Sequence, residues 1–303
     1  MKELASGPED TVWKANGMGM AMDRYGAIKS DLLALAEPEY AKFAAGLLRK
    51  PTETQPTGTA AHMLGVRLPK LRKLAGKLAK ENWRENLEAL AAGEGYCFEE
   101  VMLQGFLVGK AKIRKSAETK GTGADQEEMP GAGKSVRRPQ KKNSVQEEIS
   151  LEEQFTLIGD FVSRIDNWSL CDSFCAGLKF ATEYQEETWA YLQRFLRSEE
   201  EYAVRFGVVM LLNYFINETY IDRLFDIFRA VGHDGYYVKM AVAWAVSICY
   251  VKFPERTEAY LEHNGLDDFT FQKALQKIAE SRCVSEEVRR RMRERRRERC
   301  NCR

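Results

Sequence analysis

The chain has 303 residues, of which 44% are hydrophobic and 30% are charged, and this balance excludes both a disordered protein and a fibrous repeat. A chain of this length can bury a substantial core, so it needs no disulfide framework or structural metal in order to fold. Its 46 Lys and Arg residues nearly balance 45 Asp and Glu residues, for a net charge of +1. Any attraction to nucleic acid must therefore arise from how the charges are distributed.

The first residues lack the apolar segment of a secretory signal, and no later stretch is long and uncharged enough to span a membrane. We therefore expect a cytoplasmic protein whose seven cysteines are free thiols. Cys171 and Cys175 are four residues apart, but no histidine lies at a spacing that would complete a zinc site. We expect neither a metal nor a cofactor.

Apolar residues recur at helical spacing along most of the chain. In the segment that follows residue 151, for example, Phe155, Ile158 and Phe161 form one apolar stripe. Short breaks that contain Gly or Pro separate successive stripes, and short connections favour antiparallel helix pairs. We predict an all-α fold in which such pairs stack into a HEAT-like repeat solenoid.

The predicted organisation begins with an N-terminal tail over residues 1–22, and residues 23–303 form a single helical-repeat domain. A segment at 114–147 is rich in Gly, Pro, Ser and mixed charge, which predicts a disordered insert. An Arg-rich C-terminal end covers residues 289–303. Its arginines fit two roles equally well, the neutralisation of DNA phosphates or a solvated helix end.

The sequence contains no GxSxG turn, no HExxH helix and no dinucleotide-binding fingerprint. With only three histidines, catalysis would have to use a carboxylate. Two segments, 166–175 and 236–244, bring aromatic and charged residues together. In the first, Trp168 and Asp172 are four residues apart and should share one face of a helix.

These residues resemble the AlkD-type DNA alkylation repair glycosylases, which are HEAT-like repeat proteins. The resemblance extends over most of the chain from about residue 23, apart from the insert. It rests on the segments 64–72 and 99–104, Trp168 with Asp172, Arg205, 236–239 with Trp244, and 282–288.

The resemblance implies a solenoid with a concave DNA-binding face. No heptad seam or swapped element argues for a dimer, and a monomer is the simpler expectation for a protein that wraps duplex DNA. It implies that Asp172 is the catalytic aspartate, that Trp168 and Trp244 line the lesion cleft, and that Arg205 contacts DNA. The implied reaction is hydrolysis of the N-glycosidic bond of cationic purines, such as N3-methyladenine and N7-methylguanine, in duplex DNA. Asn167 and Ser169 on either side of Trp168 depart from the family pattern.

The residues themselves suit that chemistry. An alkylated purine is already cationic and leaves as a neutral base, so one ionised carboxylate suffices to stabilise the oxocarbenium-like sugar and orient water. Two tryptophan faces would attract a cationic base through cation–π interactions. On charge alone, we also expect phosphate contacts from Arg67, Lys70, Arg72, Lys73 and Lys239.

Other interpretations of the same residues stay open. Tryptophans at helical spacing commonly pack in a core, and Arg205 could form an ion pair with Glu201. The alternative function is a noncatalytic helical-repeat scaffold that binds DNA or a protein. A third possibility is an interaction scaffold whose Arg-rich end recruits an acidic partner.

Overall fold

The structure is a computed structural model that describes residues 8–49, 52–93, 97–115 and 147–301, with side chains described from residue 19 to residue 298 within those ranges. These residues form thirteen α-helices and one pair of two-residue strands, which confirms the predicted all-α class. The first helix crosses the boundary at residue 22 without a break. The predicted division into tail and domain stays a prediction.

The breaks between helices fall where Gly and Pro predict them. Pro38 and Pro254 each stand at the start of a helix, where the missing N–H costs nothing. The helices are α1 Pro8–Leu35, α2 Pro38–Leu48, α3 Leu68–Ala92, α4 Phe98–Val108, α5 Leu151–Val162, α6 Trp168–Cys175, α7 Gln185–Leu196, α8 Glu201–Tyr214, α9 Ile221–Ala230, α10 Tyr236–Lys252, α11 Pro254–Glu262, α12 Asp268–Glu280 and α13 Glu286–Asn301. The strands are β1 Lys112–Ile113 and β2 Glu148–Ile149, and short 3₁₀ helices occupy Gly58–His62 and Lys179–Thr182.

Helices α4, α6, α8, α10 and α12, which we call the even row, contact one another in chain order. The intervening helices α5, α7 and α11 pack against this row, and α3 and α13 extend it at its two ends. This arrangement of stacked helix pairs is the predicted helical repeat. Because α8 has a neighbour on each side within the row, every residue from Val204 to Leu212 is buried.

The two ends of the predicted insert lie side by side. β1 and β2 form a parallel ladder with Ile113 opposite Ile149, and the Arg114 N–H donates to the Ile149 carbonyl at 2.8 Å. A ladder of two residues is too short to produce an alternating pattern, so the sequence did not predict it. Residues 116–146 lie outside the described residues, and the disorder of the insert stays a prediction.

Helix α13 contains most of the Arg-rich end and is attached to the repeat through its arginines. Arg291 donates to the Tyr250 hydroxyl at 2.8 Å and pairs with Glu258 at 3.1 Å. Arg295 pairs with the same Glu258 at 3.1 Å and donates to the Leu261 carbonyl at 2.9 Å. Between them, Met292 is fully buried. These two arginines therefore hold the last helix in place, a role that the sequence interpretation did not include.

Within the ranges that the structure describes, no helix combines the length and the apolar character needed to cross a membrane. Over those same residues, the His, Cys, Asp and Glu side chains form no group of three that could hold a metal ion.

A buried carboxylate fixes the loop before α3. Glu99, in the first turn of α4, accepts hydrogen bonds from the backbone N–H groups of Leu64, Gly65 and Val66 at 2.9, 2.7 and 3.0 Å. Gly65 has a φ of +86°, and a Cβ there would lie 2.2 Å from the Glu37 carbonyl oxygen, so only glycine fits. Glu99 thus satisfies three backbone N–H groups of this loop.

We expect Glu99→Gln to lower the free energy of unfolding by about 2 kcal/mol or more, because charge-assisted hydrogen bonds are lost and an NH₂ group faces backbone donors. Urea denaturation measures the change. Glu39→Gln is the matched control, since the Glu39 side chain is 90% exposed. Equal unfolding midpoints for the two variants would contradict this role of Glu99.

Candidate active site

Helix α6 begins with a capped turn. The Asn167 side-chain oxygen accepts hydrogen bonds from the N–H groups of Ser169 and Leu170 at 3.1 and 3.0 Å, and so satisfies donors that the first turn leaves free. The Asn167 amide donates to the Thr59 hydroxyl and to the Asp166 carboxylate. The asparagine that departs from the family pattern therefore caps the start of α6 and ties it to the 3₁₀ helix Gly58–His62.

Trp168 is the first residue of α6 and is half-buried. Its indole N–H donates to the Leu47 carbonyl at 3.4 Å, and part of its ring packs against the core. Asp172 follows one turn later in the same helix, so the two side chains share a face as predicted. Trp168 therefore contributes to the core and also presents a surface beside Asp172.

Asp172 and Arg205 form a bidentate ion pair between α6 and α8. The Arg205 Nε and Nη2 atoms donate to the two carboxylate oxygens at 3.0 and 2.8 Å, and Nη1 donates to the Tyr237 carbonyl at 2.7 Å. The Arg205 side chain is only 6% exposed, whereas that of Asp172 is 21% exposed. One guanidinium thus joins α6, α8 and α10 and leaves part of the carboxylate open to solvent.

The Asp172 carboxyl experiences opposing electrostatic effects. Burial raises the pKa of Asp172 above its ordinary value, while the Arg205 guanidinium and, more weakly, Lys277 of α12 oppose that rise. Burial lowers the pKa of Lys277, with a contribution from the Arg205 charge. Cys175, fully buried on α6, has its thiol pKa raised by burial. The carboxylate lies between an apolar interior and two cationic groups.

The second aromatic segment lies on α10. The Tyr237 ring stacks on Tyr202 with centroids 5.7 Å apart, and the Arg205 guanidinium carbon lies 5.8 Å from its centroid. Trp244 is half-buried and follows Tyr237 by two helical turns, so it lies on the same face of α10. Trp168 and Trp244 are therefore carried by the two helices that flank α8 in the even row.

A family model for the DNA alkylation repair enzyme matches residues 28–278, well over half of the chain. The chain belongs to this family. No curated protein and no solved structure matches it significantly. Membership confirms the family resemblance drawn from the sequence, and it indicates a role in DNA alkylation repair with DNA as the partner. The matched range includes Trp168, Asp172, Arg205 and Trp244.

The family resemblance predicts that Arg205 contacts DNA. All three nitrogens of the Arg205 guanidinium donate hydrogen bonds to partners inside the protein, and the side chain is buried. Glu201, the other partner considered for it, accepts a hydrogen bond from the Tyr237 N–H at 2.7 Å. The geometry therefore pairs Arg205 with Asp172, and a direct phosphate contact stays a prediction.

The other expected phosphate contacts fall into two groups. Arg67 and Lys70 both pair with Glu37, at 2.9 and 2.7 Å, and Lys239 pairs with Asp234 at 3.0 Å. Hydrogen bonds from Lys70 and Arg67 lower the pKa of Glu37, as such pairing should. Among the described residues, Arg72 and Lys73 have no carboxylate within ion-pair distance.

The sequence did not predict two groups near the Asp172–Arg205 pair, the Tyr237 main-chain carbonyl and the Lys277 ammonium. The Tyr237 main-chain carbonyl leaves no signature in a sequence, because every residue has one. Lys277 could have been found, since it lies within a helix whose neighbouring positions, such as Ala274 and Ile278, are buried. A lysine next to a buried apolar stripe indicates an acidic partner or a functional surface.

We expect Arg205→Met to cost about 3–5 kcal/mol of stability, because it leaves the Asp172 carboxylate without its cationic partner. Asp172→Asn should also destabilise, and the double variant should lose less than the sum of the two single changes. Urea denaturation of the four proteins gives the coupling energy. Strict additivity would mean that the two side chains do not depend on each other.

Proposed function

We propose that the protein is a monofunctional DNA glycosylase that hydrolyses the N-glycosidic bond of cationic alkylated purines in duplex DNA and leaves an abasic site. N3-methyladenine and N7-methylguanine are the expected substrates, and the protein acts as a monomer. The observation that carries this proposal is the partly exposed Asp172 carboxylate, one helical turn from Trp168 and bound through both oxygens by Arg205.

The proposed reaction needs no general acid. The bond from the sugar C1′ to the base nitrogen breaks with its electron pair leaving on the base, and this cancels the positive charge of the alkylated purine. The sugar gains oxocarbenium character, which the Asp172 carboxylate stabilises electrostatically. A water oxygen then bonds to C1′, and its proton passes to Asp172 or to solvent.

Arg205 acts on this chemistry through Asp172. A bidentate guanidinium fixes the plane of the carboxylate, and its charge opposes protonation. Each carboxylate oxygen has two lone pairs, so each still has one free to accept a hydrogen bond from water. The exposed part of Asp172 is therefore able to bind a water while Arg205 holds its orientation.

Trp168 and Trp244 are proposed to contact the damaged nucleotide. Each is half-buried, so its ring is anchored by core packing and keeps an exposed surface. An indole face attracts a cation by about 0.5–2 kcal/mol, depending on how far the pair is desolvated. Such a contact favours an alkylated, positively charged base over an ordinary neutral one.

A noncatalytic DNA-binding scaffold is the second candidate. The observation that favours it is the same ion pair, since a buried arginine with two acceptors from neighbouring helices is also a structural arrangement. The two candidates differ in what Asp172 does beyond holding Arg205. Base release separates them.

We expect the wild-type chain to release free N7-methylguanine and N3-methyladenine from methylated duplex DNA under single-turnover conditions, and Asp172→Asn to abolish release above the spontaneous rate. Chromatography of the released bases is the measurement. Asp226→Asn, an exposed aspartate on α9 with a 76% exposed side chain, is the matched control. Duplex binding without release by any of the proteins would favour the scaffold.

The pH dependence of kcat/KM tests the electrostatics of the Asp172–Arg205 ion pair. Only the ionised carboxylate is active, so the rate should fall as pH drops through a pKa that burial has raised above that of an ordinary aspartate. Arg205→Gln removes a group that lowers this pKa, so the acidic limb should move to higher pH. Thermal unfolding at each pH checks that the variant stays folded. An unmoved acidic limb would contradict the assignment of that limb to Asp172.

A further inference from the structure

A cationic cavity lies beside the C-terminal end of α6. Its volume is about 340 Å³, and it is lined by Arg72, Phe106, Lys110, Ser173, Lys179 and Phe180, among others. Gly109 and Gly177 also line it, and a Cβ on Gly109 would lie 3.2 Å from the Gly177 carbonyl oxygen. The ends of α4 and α6 therefore meet at two glycines, which shape the wall between them.

The charged side chains that line the cavity are all cationic. Arg72, Lys110 and Lys179 are exposed, and among the described residues none of them has a carboxylate within ion-pair distance. The lining itself contains no Asp or Glu among the residues described. Arg67 and Lys239, by contrast, are paired with acidic side chains of the protein. Three uncompensated cations around one recess form a site for an anion.

The lining also indicates which kind of anion fits. The Arg72 guanidinium carbon lies 5.5 Å from the centroid of the Phe106 ring, which restricts the guanidinium to one side of the recess. Arginine and lysine donors together bind phosphate oxygens, and the rings of Phe106 and Phe180 offer an apolar surface to the adjoining sugar. A phosphodiester combines these two chemical features.

The position of the cavity relates it to the candidate active site. Trp168 and Asp172 are four residues apart in α6, and Ala176, four residues further on at the C-cap of that helix, is one of the cavity's lining residues. Residues four apart on a helix are about 5–6 Å apart. The cavity therefore lies about one helical turn beyond Asp172, a distance comparable to the span of one nucleotide.

We infer that this cavity binds a backbone phosphate next to the damaged nucleotide and so places that nucleotide against Asp172. The inference rests on the proposed function for its identification of DNA as the ligand. Lys110 and Lys179 are the new contacts that it names, and Arg72 joins them. The site positions the duplex without reading its sequence.

The first test is the salt dependence of binding to an undamaged duplex, measured by fluorescence anisotropy. The triple variant Arg72→Gln, Lys110→Gln, Lys179→Gln should bind more weakly, and its slope of log K against log[salt] should be smaller in magnitude by about 0.9 for one lost phosphate contact. Lys77→Gln is the matched control, because Lys77 is exposed but paired with Asp31 at 3.1 Å. Thermal unfolding confirms that the variants are folded.

The second test locates the phosphate. A duplex with one uncharged methylphosphonate is scanned through the positions on either side of an alkylated purine. At the contacted position the substitution should weaken binding by the wild-type chain but have no further effect on the triple variant. A methylphosphonate effect of equal size in both proteins at every position overturns the inference.

The two proposals fail in different ways. If the wild-type chain releases alkylated bases while the triple variant binds and releases as the wild type does, the cavity inference is wrong and the proposed function stands. If no base is released but the methylphosphonate effect disappears in the triple variant, the cavity inference stands and the glycosylase proposal is wrong.

Discussion

The candidate active site depends on one constraint, the placement of a guanidinium inside an otherwise apolar, buried stretch of α8. Arg205 lies in a stretch of α8 that is buried without interruption, and an unpaired charge there would cost several kcal/mol. The Asp172 carboxylate and the Tyr237 carbonyl supply its acceptors from the two neighbouring helices of the even row. The need to satisfy one cation therefore fixes α6, α8 and α10 relative to one another, and with them the position of the carboxylate.

The same pairing governs what Asp172 offers to a substrate. Arg205 favours the ionised form of the carboxylate against the effect of burial and orients it, yet it also cancels much of its charge when viewed from a distance. A cationic sugar or base gains from the carboxylate only at close range, where the nearest oxygen dominates the field. Burial strengthens that local interaction because little water screens it, and the exposed fifth of the Asp172 side chain is the only part that a ligand can approach. Such an arrangement favours a substrate held firmly in place over one attracted from solution.

Local sequence patterns predicted the helices and part of the candidate site. Helices and their breaks follow from apolar spacing and from proline, and the shared face of Trp168 and Asp172 follows from an interval of four residues. The pairing of Asp172 with Arg205 joins positions 33 residues apart, and no local pattern encodes it. The same reason hides the pairing of Glu37 with Arg67, and a phosphate contact from Arg67 stays a prediction. Family resemblance named Asp172 and Arg205 as site residues, which stays a prediction, and the structure adds that the two side chains are paired.

Charge compensation explains why a net charge of +1 is compatible with binding DNA. Many exposed cations of this chain are balanced by nearby carboxylates, so they add little to the field that a phosphate experiences. The field that remains is set by the cations that lack such partners. Arg72, Lys110 and Lys179 are three of these among the described residues, and they line a single recess one helical turn from Asp172. An almost neutral protein can thus present a locally cationic recess whose described lining contains no acidic residue, and the position of that recess follows from the arrangement of charges rather than from composition.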